Sequence, residues 1–378
     1  MGSVSLLYKT ITIIVFLITG SLSAVLINIA YSLQTKGYHN ISKKFQRPWF
    51  QVWCMFLGML PLIFNTHVIK TLKCLPYKIG GKRQGWGLFR ITSIAAIFDL
   101  LCTILQFIAY KNLTPSIWQM LRGSILIFTA LLSKFYRKKS LTITQWIGVI
   151  VIIIGITIVG LSYVLNQEKN NSINDYSKSK ELKMDILAVF LVFIAQGLTA
   201  FKVIIEEEFL HDDDASSSEI VSYEGIWGIF LVTFIIMPIA NIMPENALTG
   251  IYENTIESVY MISHSWEILV TEIFYVVTII GFNQSGMLIT QFSNAINRNI
   301  WEILKSIGVW IVSLFVYYVL KMREGGEKLT LMSLLQLFGF AICILGALVY
   351  NDTIKFPCVS DFLPVSDKSM PSKVSLLN

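Results

Sequence analysis

The sequence predicts an all-α membrane protein of ten transmembrane helices arranged as two inverted five-helix repeats. Three observations predict it. Of the 378 residues, 54% are hydrophobic and only 14% charged, with a mean hydropathy of +0.64, whereas a soluble domain carries roughly 25% charged residues. The apolar residues fall in uninterrupted runs of about 20, the length at which an α-helix crosses a hydrocarbon core. Short patterns of the first half return in the second half in the same order. Alternating tracts of about ten residues, the sign of a membrane β-barrel, are absent from the sequence.

The apolar runs lie near residues 9–31, 50–69, 88–110, 115–135, 143–165, 184–206, 220–242, 266–289, 291–320 and 331–350. The first is read as a membrane helix and not a cleaved signal, because its apolar stretch continues past Ser21-Leu22-Ser23-Ala24 through Ile27 to Ala30, too long for a signal core. The ninth is overlong, and its first half is polar. Residues 166–183 are polar, with Asn170-Asn171-Ser172 and Ser177-Lys178-Ser179-Lys180, and read as a linker. The expected organisation is a first repeat over 1–165, the linker over 166–183, a second repeat over 184–350 and a disordered tail over 351–378.

The repeat rests on four matches. Gly20-Ser21-Leu22-Ser23-Ala24 parallels Gly197-Leu198-Thr199-Ala200, and Trp53-Cys54-Met55-Phe56-Leu57 parallels Trp227-Gly228-Ile229-Phe230-Leu231. Ile97-Phe98 parallels Ile273-Phe274, and Gln145-Trp146-Ile147-Gly148 with Gly155 parallels Gln336-Leu337-Phe338-Gly339 with Gly346. A unit with an odd number of helices enters the membrane upside down the second time. Inverted repeats have two related conformations open to opposite sides, with a site between them at the midplane. The alternative is a scaffold or interaction protein with the same fold and no transport.

The net charge of +6 does not indicate nucleic acid. The basic residues sit in short loops such as Lys134 to Lys139, suited to phospholipid headgroups. Their near-equal distribution over the two sides leaves orientation undecided. The sequons at Asn40-Ile41-Ser42 and Asn170-Asn171-Ser172 share the side opposite the termini. Cys54, Cys102 and Cys343 lie in apolar runs and read as packing residues, with no disulfide framework.

Ionisable residues inside a membrane span cost about 2.5–3.5 kcal/mol on insertion scales and so point to function. Gln119 and Arg122 share one face of the fourth helix, and an offset of 176 residues carries Arg122 onto Arg298 without a gap. An inverted repeat would bring both guanidinium groups to one central cavity, where they would orient a carboxylate or phosphate. Asp99 shares a helix face with Gln106, and either holds a structural ion pair or titrates during transport. Arg298 and Glu302 are four apart, with Lys305 three further on, and form either an intrahelical pair or part of a site. Glu224 and Asn283-Gln284 are further candidates, Asn283 for a ligand or for a helix–helix hydrogen bond. Lys202 and Glu206 read as a snorkelling pair at a membrane boundary. The acidic run Glu206-Glu207-Glu208 to Asp212-Asp213-Asp214 reads as a solvated loop, not a metal site. None of the four histidines has catalytic or metal spacing, and no Gly-rich phosphate loop is present. Gly148, Gly155 and Gly160 suit close helix packing.

Gln119-Met120-Leu121-Arg122-Gly123, followed by Ile127-Phe128-Thr129 and Leu132-Ser133, resembles the fourth helix of the drug/metabolite transporter superfamily. The likeness is best to the solute-carrier-35-like F group, relatives of the nucleotide-sugar transporters. It is supported by Gln145-Trp146-Ile147-Gly148, Ala195-Gln196, Glu206-Glu207, Glu224-Gly225, Phe282-Asn283, Arg298 with Glu302, and Gly346-Ala347-Leu348-Val349-Tyr350-Asn351. The resemblance implies ten helices, cytosolic termini and residence in an endomembrane such as Golgi, lysosome or vacuole. It also implies a phosphate-binding role for basic residues of helices four and nine, here arginine in place of the commoner lysine.

The sequence therefore predicts a secondary transporter, not an enzyme, moving a small anionic organic metabolite by alternating access. Gln119, Arg122, Asn283 and Arg298 would bind substrate, and Asp99, Glu224 and Glu302 would balance charge or couple protons. No cofactor or metal is expected. The expected partners are the solute and the bilayer, with a homodimer left open.

Overall fold

The computed structural model describes residues 6–37, 42–64, 85–110, 113, 118, 121–138, 141–170, 175–211, 215–242, 254–322, 326, 328–330 and 332–351. Among the described residues, eight helices are long and apolar enough to span a membrane, and two shorter apolar helices cover Pro48–Phe64 and Ile125–Phe135. The elements are α1 (Leu6–Ser32), β1 (Gln34–Lys36), β2 (Ser42–Lys44), α2 (Pro48–Met59), α3 (Trp86–Tyr110), α4 (Ile125–Phe135), α5 (Ile143–Asn170) and α6 (Asp175–His211). They continue with α7 (Ser217–Leu231), a π-helical turn (Val232–Ile236), α8 (Met237–Ile242), α9 (Thr255–Ser263), α10 (Trp266–Phe292), α11 (Ala295–Tyr318) and α12 (Met332–Tyr350).

Local chemistry sets these boundaries. Pro48 opens α2, where its missing N–H is no loss. Pro238 deprives the Phe234 carbonyl of its usual donor, and the helix accommodates it through the π turn just before. The expected overlong ninth span resolves into the end of α10 and a shorter α11. The chain breaks at Ser293, and the Asn294 side chain accepts from the Asn297 backbone N–H at 2.7 Å to cap α11. Helix enters the expected polar linker from both sides, since α5 runs to Asn170 and α6 starts at Asp175. Asn40, Ile41, Asn171, Ser172, Asp212 to Asp214 and the tail beyond Asn351 lie outside the described residues.

The apolar side chains are turned outward and the charged ones inward. Ile14, Ile18, Ile150, Phe190, Phe274 and Phe315 are exposed on the spans, while Asp99, Lys202, Glu206, Glu224 and Lys305 are buried. Such an inversion suits a lipid solvent, where outward polar groups would be costly.

The helix packing is paired. α1 lies on α10 and α11, as α6 lies on α3 and α4; α2 meets α10 as α7 meets α3. α2 also packs on α7, α4 on α11 and α5 along α12. The last pair is antiparallel and built on glycine. A Cβ at Gly346 would stand 2.9 Å from the Gly148 carbonyl, and one at Gly339 would stand 2.9 Å from the Gly155 carbonyl. Only bare backbone permits that approach. Gly160, grouped with these by sequence, has open space around it.

On the side opposite the N-terminal end of α1, a short antiparallel hairpin of β1 and β2 leads into Arg47. Arg47 donates to Glu257 at 2.6 Å and Lys43 to the same carboxylate at 3.2 Å, joining the α1–α2 connection to α9. Burial works to raise the Glu257 pKa, but the Arg47 and Lys43 charges outweigh it and hold the carboxyl below its ordinary value.

Candidate substrate site

The polar faces of six elements converge on one cavity of about 130 Å³. Two ion-pair groups line it or support its lining. In the first, Lys202 of α6 forms ion pairs with Asp99 of α3 at 3.0 Å, with Glu206, one turn on, at 3.1 Å, and with Glu224 of α7 at 3.4 Å. Arg298 of α11 donates to the other Glu206 oxygen at 2.5 Å. In the second, Arg122, in the helical turn before α4, meets Glu302 of α11 at 2.9 Å, and Lys305 meets the same oxygen at 2.7 Å. The Arg122 guanidinium lies over Trp118, 4.9 Å from the ring centre, and the Lys305 ammonium over Phe282 at 4.4 Å.

Backbone chemistry makes room for these groups. Gly20 of α1 leaves the space that the Lys305 stem and the Phe282 ring occupy, and Gly286 of α10 lets Arg298 pass against its backbone. Asn299 donates to Thr129 at 2.7 Å and fixes α11 against α4.

Of the residues singled out by sequence, Arg122, Asn283, Arg298, Asp99 and Glu302 line the cavity together. Glu224 stands behind Lys202, away from the lining. Gln119 lies outside the described residues. Of the two readings open for Arg298 and Glu302, an intrahelical pair or part of a site, the ion pairs do not join the two to each other: Arg298 reaches α6, and Glu302 takes Arg122 and Lys305. Asn283 and Gln284 separate in role, since Gln284 donates to Ser217 of α7 at 3.3 Å while Asn283 faces the cavity.

Lys202 and Glu206 correct the sequence reading. Lys202 is 5% exposed and Glu206 fully buried, so the pair does not snorkel to an interface. The helix runs on to His211, which places both residues well inside the span, and Glu206 and Glu207 are buried rather than part of a solvated loop. Gln196, Thr199 and Lys202 recur every three residues within an apolar run, and that spacing was the legible signal for a polar helix face.

Residues 10–161 match the EamA-like transporter family. Human solute carrier family 35 member F6 is 24% identical over 340 residues, covering 89% of this chain and 86% of the human protein. The rat protein of the same name is 24% identical over 344 residues, with the same coverages. An uncharacterised protein of Schizosaccharomyces pombe is 29% identical over 268 residues, 70% of this chain and 75% of its own length. The chain is thus similar to drug/metabolite transporters of the solute-carrier-35F-like kind. A crystal structure at 12% identity superposes with a TM-score of 0.53 over 92% of this chain and 98% of the other, a likeness of fold. These likenesses and the eight long apolar helices support an integral, multi-pass membrane protein with a transport role.

Proposed function

We propose that this transporter is a secondary carrier that moves a small organic metabolite bearing an anionic group across an endomembrane, by alternating access between two inverted repeats over 1–165 and 184–350. The observation that carries the reading is the convergence of Arg122 and Arg298, equivalent under the 176-residue offset, on one cavity. The paired packing supports the inversion, because exchanging each helix for its repeat equivalent turns the α1–α10 contact into α6–α3 and α1–α11 into α6–α4. The Gly148–Gly346 approach likewise maps onto Gly339–Gly155, in antiparallel helices.

Arg122 and Arg298 orient the anionic group, Asn283 and Gln119 shape its surroundings, and Asp99, Glu224 and Glu302 balance charge as substrate displaces their partners. Ion pairs between α6 and α11, and between α11 and the turn before α4, suit exchange during a rocking motion, since a substrate acid can take the place of a carboxylate. A site for a small solute fits a cavity of about 130 Å³, below the roughly 300–1,000 Å³ of drug-sized pockets. The termini are assigned to the cytosol.

Counterflow in proteoliposomes tests this. Uptake of a labelled organic acid should saturate, accelerate with internal counter-substrate, and disappear in Arg122→Ala and Arg298→Ala protein that remains monodisperse. Undiminished uptake in both variants would falsify the site.

A further inference from the structure

The carboxylates in and behind the cavity wall each face a cation: Asp99, Glu206 and Glu224 face Lys202, and Glu302 faces Arg122 and Lys305. Glu272 of α10 does not. It is 5% exposed, and among the described residues no cationic side chain pairs with it and neither of its oxygens has a hydrogen-bond partner. Gln51 of α2 stands beside it, fully buried, and both polar atoms of that amide also lack a partner there. The other polar neighbours are the Cys54 thiol of α2 and Tyr275, one turn further along α10. Buried polar atoms of this sort normally have partners.

This cluster lies outside the two ion-pair groups. α2 begins just after Arg47 and α10 soon after α9, and Arg47 is bonded to Glu257 of α9, so both helices start on the same side of the membrane. Gln51 in the first turn of α2 and Glu272 in the second turn of α10 lie between that side and the cavity, whose wall begins at Met55 and Tyr275. The titratable groups on the other elements against α10 are engaged or distant. Glu224 of α7 is on Lys202, Tyr223 packs on the Phe89 ring, and Glu219 belongs to the turn whose Ser217 meets Gln284. Arg298, Glu302 and Lys305 of α11 are in their own pairs, and Arg122, which acts at Tyr275, is bonded to Glu302. Glu257 of α9 is held by Arg47 and Lys43, with Tyr260 and His264 stacked on each other, and His211 of α6 meets the Thr290 carbonyl. On α1, Tyr31 packs near Ile268, while Tyr8 and Lys9 sit at the other end, Lys9 over the Phe292 ring. Glu267 on α10 itself is exposed.

We propose that Glu272 is the binding site of a coupling proton. Its carboxyl takes one proton from water when the α2–α10 contact opens, holds it while that contact is closed, and returns it to water when the cavity opens to the other side. This rests on the carrier reading above and names the ion that drives it. A carboxylate buried without a cation is strongly disfavoured. The neutral acid has an O–H donor and an acceptor oxygen, which match the Gln51 amide. The contact therefore closes over the protonated acid and opens for the charged one, which ties proton binding to the rearrangement. A metal cation is poorly served, since the cluster brings one carboxylate and no group of three metal-type ligands occurs among the described residues. The offsets that carry Trp53 onto Trp227 and Ile97 onto Ile273 put Gly225 in the place of Gln51 and Ala96 in the place of Glu272. The equivalent contact between α7 and α3 thus has no ionisable group at these positions, and the proton is taken up at one of two related gates.

The test uses purified full-length protein in liposomes, with labelled succinate, citrate and glycerol phosphate as probes and protein-free liposomes as the blank. For a probe that shows counterflow, a pH gradient of one sign should raise net uptake at least fivefold. Glu272→Gln, a mimic of the neutral acid, should lose that response while exchange of labelled for unlabelled probe persists. It should also unfold at the native temperature near neutral pH, and the infrared band of a protonated carboxyl seen in the native protein should be missing from it. Native counterflow that ignores both gradients overturns the proposal and leaves the carrier standing. A gradient response or a carboxyl band that survives in Glu272→Gln places the proton elsewhere and overturns it too. So does a band absent from the native protein, or a Glu272→Gln protein that fails to fold, since either means a charged carboxylate. Loss of exchange in folded Glu272→Gln would make Glu272 part of the solute's own site, and uptake driven by a sodium gradient at equal pH would replace the proton by a metal cation; both overturn the proposal. Absence of counterflow with all three probes overturns the carrier reading and the coupling with it.

Discussion

Where α5 meets α12 the two backbones touch across bare glycines. Where α3, α6, α7 and α11 converge, charged side chains stand between them. Both regions belong to the same membrane-embedded fold, yet they are held by opposite means. The seam relies on shape, so its sensitivity is to size; the cavity relies on compensation, so its sensitivity is to charge. A dry glycine contact has one good geometry, whereas an ion-pair set shared among several helices has several arrangements of similar energy. The difference suggests a division between a fixed hinge at the seam and a rearranging centre.

The largest expected effect lies in the cavity and separates its two arginines. Arg298→Ala leaves the fully buried Glu206 with Lys202 as its remaining cation and should destabilise by about 3–5 kcal/mol, as broken buried pairs do. Arg122→Ala leaves Glu302 bonded to Lys305 and should cost less, about 1.5 kcal/mol. Thermal unfolding in detergent would compare them; equal losses would contradict the assigned pairing.

At the seam, Gly346→Val places a side chain against the Gly148 carbonyl and Ile152 and should cost about 1–3 kcal/mol by overpacking. Gly160→Val, in open space, should be well tolerated. A charge-conserving change such as Arg122→Lys should show the reverse profile, with stability nearly kept and counterflow lost. Seam variants that fold normally but lose counterflow would mark the seam as a moving part and sharpen the contrast.

A smaller effect lies in the cavity wall. Asn299→Ala removes the bond to Thr129 that joins α11 to α4, at about 1 kcal/mol. The smallest lies outside the spans. The folded-state pKa of Glu257 is depressed, so its pairing with Arg47 and Lys43 contributes fully above the ordinary carboxylate pKa. That contribution fades as pH falls through the folded value. Glu257→Gln should therefore lower the Tm near neutrality, and the gap to the native protein should close as pH drops well below about 4.5. A gap that persists at low pH would show that the ion pair is not the source.

Much of this was legible in the residues. Among the described residues, eight of the ten apolar runs became helices long enough to span a membrane and the second gave the shorter helix Pro48–Phe64, because length and hydropathy alone fix where a chain can cross hydrocarbon. In the fourth run Trp118, Leu121 and Arg122 are helical, a turn follows at Gly123 and Ser124, and α4 begins at Ile125. Arg122, Arg298, Asp99 and Glu302 stood out because charge in an apolar run is costly. Lys202 was misplaced for a local reason: the helix end at His211 follows from packing, and a span estimated to stop at Glu206 puts the lysine at a boundary it does not occupy. The β1–β2 hairpin and α9 gave no strong periodic signal and take their places through Arg47 and Glu257.

The sequence by itself determined that this chain lives in a membrane, where its helices run, and which charged side chains must be hidden from lipid. Those are consequences of transfer energy, which each residue carries with it wherever it goes. Only the tertiary structure decided which charge answers which. Arg298 took Glu206 from a helix far back in the chain and left the nearer Glu302 to Arg122. Partnership depends on where helix faces meet in space, and neighbours across a helix interface have no fixed separation along the chain.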